Sequence, residues 1–180
     1  GITHQVTSDK PQIVVKNNKV IVDDVVLHDI KEIDLKIEFT GNLANLDVHQ
    51  GSVVCGDVAG YVDSDGDITC GNVGGDVSSG GSVKCVNVGG SVEATDSVVC
   101  SGSVGGNVDS EGDITCGDVG EYADAGGDIT CGNVGEYVTS GGEVTCGNVG
   151  GNVEADGGDV TCGDVSGDIN NADTVSMRRS

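Results

Sequence analysis

Small apolar residues return along this chain in fixed phase. Ile68, Cys70, Val73 and Val77 form one set, Val83, Cys85, Val88 and Val92 the next, and Ile129, Cys131, Val134 and Val138 a later one. Ile68 and Cys70 stand two apart, so both fall on one face of a strand and Thr69 on the other. An amphipathic helix would sustain spacings of three and four over several turns, and no stretch does so. Glycines at 66, 71, 74 and 75 fall between the apolar positions, where a coil must bend tightly. The pattern predicts an all-β fold: a single-stranded β-helix, or solenoid, with one coil per repeat. Its rungs stack at about 4.8 Å, and the general crossover preference makes it right-handed.

The cysteines set the period. They occupy Cys55, Cys70, Cys85, Cys100, Cys116, Cys131, Cys146 and Cys162, in steps of 15, 15, 15, 16, 15, 15 and 16. Phe39 lies 16 before the first and Met177 15 after the last, so the column runs from Phe39 to Met177. About nine rungs of 15–16 residues therefore fill residues 40–177. Each cysteine reads as a small apolar filler of one core column, with Phe39 and Met177 closing the wider ends. The two 16-residue steps are expected to bulge at a corner without shifting the column. A lone rung of four buried side chains cannot offset its own backbone entropy, so stability must come from stacking.

Residues 1–39 differ in character. IVVKNNKVIV predicts a β-hairpin turning at Asn17-Asn18. Ile33, Leu35, Ile37 and Phe39 alternate with Asp34, Lys36 and Glu38, the pattern of a half-buried strand. This segment holds five of the eight basic residues and is expected to form an N-terminal β cap over the first rung's open edge. Residues 178–180 are left as a basic tail.

Charge and composition narrow the function. The chain has 180 residues and a net charge of −22, which argues against nucleic acid or an anionic membrane as a direct partner. No apolar run is long enough for a membrane-spanning helix, so no membrane insertion is expected. With 2% aromatic residues the core must be thin and built of valine and isoleucine.

The run GDVAGYVDSDGDITCGNVGGDV, residues 56–77, resembles bactofilins, bacterial β-helical proteins that form polymers. The resemblance covers residues 41–177 at most and implies a scaffold. The shorter rungs, the cysteine column and the N-terminal segment depart from that family. The phrase GDITCGNVGG also resembles repeat proteins of bacteria and their prophages, a likeness that implies no activity.

Candidate chemistry is sparse. His4, His28 and His49 lie outside the regular rungs, and none neighbours a cysteine or serine in a nucleophile arrangement. The period is also shorter than that of hexapeptide-repeat acyltransferases, so no enzymatic activity is expected. Cysteines fifteen apart do not match the paired spacing of structural zinc sites. At rung spacing they suit disulfides poorly, which predicts a ladder of reduced thiols and a cytoplasmic location.

From residue 40 onward 23 Asp or Glu face only Lys84, Arg178 and Arg179. Asp63, Asp65 and Asp67, and again Asp109, Glu111 and Asp113, crowd one corner of the coil. They are the candidate ligands for a hard cation such as calcium, although twelve along from Asp63 stands Gly74, where an EF-hand loop places glutamate. No other cofactor is implied. Stacked Tyr122 and Tyr137 are the candidate contact for a protein partner. Thr115, Thr130, Thr145 and Thr161 form an outward column interrupted by Lys84 and Val99. The expected function is a non-enzymatic structural or binding module, a rigid acidic rod that self-associates or binds a protein. The alternatives are an acidic mimic of nucleic acid that inhibits a DNA-binding protein, and a calcium-binding surface module.

Overall fold

The computed structural model describes residues 11–16, 19–29, 43–49 and 51–178. Every regular element among them is a β-strand. Strands β1 (Gln12–Lys16), β2 (Lys19–Val22) and β3 (Val25–Asp29) form an antiparallel meander, and β4 (Asn45–Val48) begins the coil. From there the chain winds through two parallel sheets, one of twelve strands including the meander and one of nine that starts at β5 (Val53–Val54). A third side is held by single parallel bridges that step from Leu43 to Val58, Val73 and Val88 and onward to Val165. The molecule is a β-solenoid of about nine turns.

The register follows the apolar columns. Val53 pairs with Ile68, Ile68 with Val83 and Val98 with Ile114 in the nine-stranded sheet. Leu46, Val62, Val77, Val92, Val108, Ala123, Val138 and Val153 stack in the twelve-stranded sheet. Every one of these side chains is buried. The four apolar columns are joined by a fifth inward column that the hydrophobic pattern does not reveal: Ser64, Ser79, Ala94, Ser110, Ala125, Ser140 and Ala155, all buried.

Both long repeats keep their columns. In the first, Val88 bridges to Val104 and Val98 pairs with Ile114, so the extra residue falls between Cys100 and Val104. In the second, Val138 pairs with Val153 and Val144 with Val160, which puts the extra residue between Ala155 and Val160. There Gly157 adopts φ +82°, a left-handed conformation that glycine tolerates without strain.

The hairpin of β1 and β2 has the expected register, with Lys16 opposite Lys19. Its turn residues Asn17 and Asn18 lie outside the described residues. A second hairpin joins β2 to β3 through Asp23 and Asp24, at φ 47° and 64°, a two-residue turn of the kind that follows strand twist. The meander attaches by β1 pairing in parallel with β4, and Ile13 and Val15 join the core. The strand expected over 33–39, Phe39 included, lies outside the described residues.

The far end of the column differs from expectation. Met177 stays in register with Cys162, but it is 50% exposed, and Val175 beside it is exposed too. Met177 therefore does not seal the core: half of its surface stays exposed, and β21 (Val175–Met177) is the outermost strand of its sheet among the described residues.

Candidate functional site

The outward positions of the strands carry the chain's chemistry. On the twelve-stranded sheet, Asp47, Asp63, Ser78, Glu93, Asp109, Asp124, Thr139 and Glu154 succeed one another in register. Side chains aligned in this way stand about 4.8 Å apart, so Asp109 faces Asp124 with no cation between them in sequence. Partial burial and the Asp109 charge together raise the Asp124 pKa above the ordinary carboxylate value. His49 Nε2 lies 3.1 Å from Asp47 Oδ1 at the start of this column.

The six candidate cation ligands divide into two kinds. Asp63, Asp65, Asp109 and Glu111 line one shallow, open depression that also takes in Glu93. Asp67 and Asp113 sit on the next column and are engaged by the backbone: the Ser82 and Asp128 N–H groups donate to their Oδ1 atoms, each at 2.9 Å. The DSDGD stretch thus wraps round a corner and forms no closed cradle. Among the described residues no group of three or more His, Cys, Asp or Glu side chains converges on a metal-binding geometry. A second open depression is lined by Asp128, Glu143, Asp156, Asp159 and Asp173.

The backbone role of the acids is the feature that sequence reasoning missed. Asp57 Oδ1 accepts from the Asn72 N–H at 2.7 Å, and Asp118 Oδ1 from the Asn133 N–H at 2.7 Å. Asn133 Oδ1 in turn accepts from Asn148 N, and Asn148 Oδ1 from Asp164 N. Asp76 Oδ1 accepts from Ser91 N on a separate column. In every case a short oxygen-bearing side chain on one rung binds an amide of the next. The recurrent GNV and GDV phrases are therefore staples between coils. The signal available in the sequence was the choice of Asp, Asn and Ser at one phase of the repeat, residues whose short side chains bond nearby backbone.

Tyr122 and Tyr137 stack as expected, with ring centroids 4.8 Å apart and planes 5° from parallel. They occupy a staple column, since Asn107 Oδ1 accepts from Tyr122 N. Burial first, then the neighbouring Tyr137 and carboxylates, raise the Tyr122 phenol pKa. On the nine-stranded sheet Thr115, Thr130, Thr145 and Thr161 pair in register, with Val99 preceding them.

Inside the coil the eight cysteines are free thiols in one column. Cys55, Cys116 and Cys131 are half-buried and the others buried. Burial pushes the Cys100 and Cys146 thiols up to about 12 each. Rung spacing does not keep the sulfurs uniformly apart: Cys70 Sγ and Cys85 Sγ are 2.6 Å from each other. Side chains need not run parallel to one another, and these two lean together.

No helix among the described residues is long and apolar enough to cross a membrane. No family model, curated protein or solved structure matches the chain.

Proposed function

We propose that the protein is a non-enzymatic structural module, a stiff acidic rod that builds larger assemblies by association with further copies or a protein partner. The observation that carries this reading is the last described rung. Val175 and Met177 are exposed there, in a strand whose outer edge has no neighbour among the described residues. An unpaired edge beside apolar side chains is a template for another strand. Continuous ladders and side-chain staples keep successive rungs in one register, and such a body transmits a fixed geometry from end to end. Low-salt conditions oppose association between bodies of charge −22, so assembly should strengthen as salt rises.

Sedimentation velocity over a wide concentration range, with negative-stain images of the same samples, tests the reading. Species larger than the monomer should grow with concentration and salt, and replacing Val175 and Met177 together by Lys should abolish them. A monomer at all concentrations would sink self-assembly.

A second reading is favoured by the depression lined by Asp63, Asp65, Glu93, Asp109 and Glu111. Five carboxylates around one concavity repel one another, and a hard divalent cation relieves that repulsion through oxygen ligands. On this reading calcium raises the melting temperature by more than sodium chloride of equal ionic strength. An equal effect of the two salts would leave only general screening.

A further inference from the structure

The sulfur column is not evenly spaced. Thr69 pairs with Lys84, so the residues that follow, Cys70 and Cys85, stand opposite each other on neighbouring rungs. Their Cα atoms are separated by the rung spacing of about 4.8 Å, inside the roughly 4.4–6.8 Å that disulfides span. Their sulfurs approach to 2.6 Å, whereas Cys162 Sγ and Met177 Sδ in the same column lie at 3.6 Å. The Cys70–Cys85 separation is nearer to a sulfur–sulfur bond of about 2.05 Å than to that ordinary contact. Both residues are buried, so a reagent in water must reach them through another group. Cys55 supplies one: it is half-buried and stands one rung before Cys70, since Val54 pairs with Thr69.

We propose that Cys70 and Cys85 form a cross-rung disulfide, loaded and unloaded through Cys55 by exchange with a low-molecular-weight disulfide such as oxidised glutathione. The Cys55 thiolate attacks one sulfur of the external disulfide, whose S–S bond breaks to release one thiolate. Cys70 gives its proton to that thiolate and attacks Cys55 Sγ, expelling the second external thiolate and closing a Cys55–Cys70 bond. Cys85 gives its proton to the second thiolate and attacks Cys70 Sγ, which closes the Cys70–Cys85 bond and frees Cys55 as the thiolate that began the sequence. Two protein thiols are oxidised and one external disulfide is reduced to two thiols; no other redox partner is needed. Thiol–disulfide exchange proceeds through an attacking sulfur aligned with the bond it breaks, and a column stacked along the solenoid axis presents three successive sulfurs in that order. The hydrogen bond from Cys70 lowers the Cys55 thiol pKa and the same partner lowers that of Cys85, while Cys70 between them is raised. Cys55 is thereby the better nucleophile for the opening attack.

The chain carries its own assay. Lys84 is the only Lys or Arg between Lys36 and Arg178, so trypsin divides the unfolded protein into residues 37–84, with Cys55 and Cys70, and 85–178, with the other six cysteines. The full chain is equilibrated in glutathione buffers of graded potential, quenched in acid, alkylated, unfolded and digested. In oxidising buffers the two pieces should stay joined on a non-reducing gel, and further cleavage at aspartates should place the link at Cys70–Cys85. Cys85→Ser, which retains a small side chain, should abolish that link. Cys55→Ser should slow its formation by about tenfold or more, because the buried pair loses its accessible partner, without moving the potential of half-oxidation. Pieces that separate, a link at another pair, or glutathione retained on Cys55 would overturn the disulfide. An unchanged rate in Cys55→Ser would overturn the loading route.

Discussion

Ser79 shows how a polar residue can serve a core this narrow. Its hydroxyl donates to the Gly66 carbonyl on the preceding rung at 2.9 Å and accepts from the Gly81 N–H at 3.1 Å. Ser64 and Ser140 repeat the arrangement on their own rungs, as does Ser110, whose hydroxyl donates to the Asp96 carbonyl. At two alanines of the column the link is made directly: beside Ala94 the Asp96 N–H reaches the Gly81 carbonyl at 3.1 Å, and beside Ala125 the Gly127 N–H reaches Gly112. The serine is thus a relay inserted into a backbone bond that the alanine rungs close without it. Ser79→Ala should therefore lower stability by no more than about 1 kcal/mol, the net worth of an ordinary hydrogen bond. Ser79→Val exchanges the hydroxyl for a methyl and adds a second one beside buried neighbours, and should lower it by about 1–3 kcal/mol. Urea unfolding of both variants checks the order, and an alanine variant as damaged as the valine would show that the direct link does not form.

At the scale of the rung, the same close stacking favours glycine along the middle of one corner column. A Cβ on Gly120 would lie 2.0 Å from the Gly105 carbonyl oxygen, a backbone atom that can yield only if its rung shifts. Gly56 faces open space, with nothing within 4 Å of a built Cβ. Gly120→Ala should cost about 2–3 kcal/mol through forced backbone displacement, and Gly56→Ala should change stability by about 0.5 kcal/mol or less; a similar loss in both would refute the stacking account. These contrasts explain which parts of the fold were legible in the sequence. Ile68, Cys70, Val73 and Val77 announce their columns because each is apolar in an otherwise polar and glycine-rich setting. Ser79 does not, since a lone serine reads as outward until its neighbours in phase, Ala94 and Ala125, are aligned with it. Asp67 reads as a candidate cation ligand and Asp57 goes unremarked because their partners, the Ser82 and Asn72 amides, lie fifteen residues on and become adjacent only once the register is known. The Cys70–Cys85 contact was hidden for another reason. The period fixes which residues stack, whereas the direction each thiol leans is a rotamer choice that the period does not set.

Across the whole molecule, stapling and repulsion act on the same acidic side chains. Asp67 binds an amide of the next rung, while Asp109 and Asp124 stand opposite each other on the outward face of the sheet. Asp124 is where repulsion is resolved, because burial and the Asp109 charge raise its folded-state pKa. A carboxyl with a raised folded pKa binds its proton more tightly in the native state than in the unfolded chain. Its stabilising contribution is therefore fully present below the unfolded value of about 3.9 and is lost as pH climbs through the higher folded value. Asp124→Asn holds the neutral form at every pH. The variant should melt above the wild type at pH 7.5, and the difference should shrink towards zero by pH 3, where the wild-type carboxyl is protonated as well. Sodium chloride should narrow the gap at pH 7.5 by screening Asp109 from Asp124. Thermal melts of the two proteins at both pH values and two salt concentrations separate this account from a packing effect of asparagine, which would leave the difference unchanged by either pH or salt. The same experiment bears on the rod as a whole. With 30 acidic side chains against eight basic ones, the folded state holds like charges closer than the extended chain does. Screening should accordingly raise the melting temperature of the wild type more than that of the variant, because the variant has already lost one of the repelling pairs.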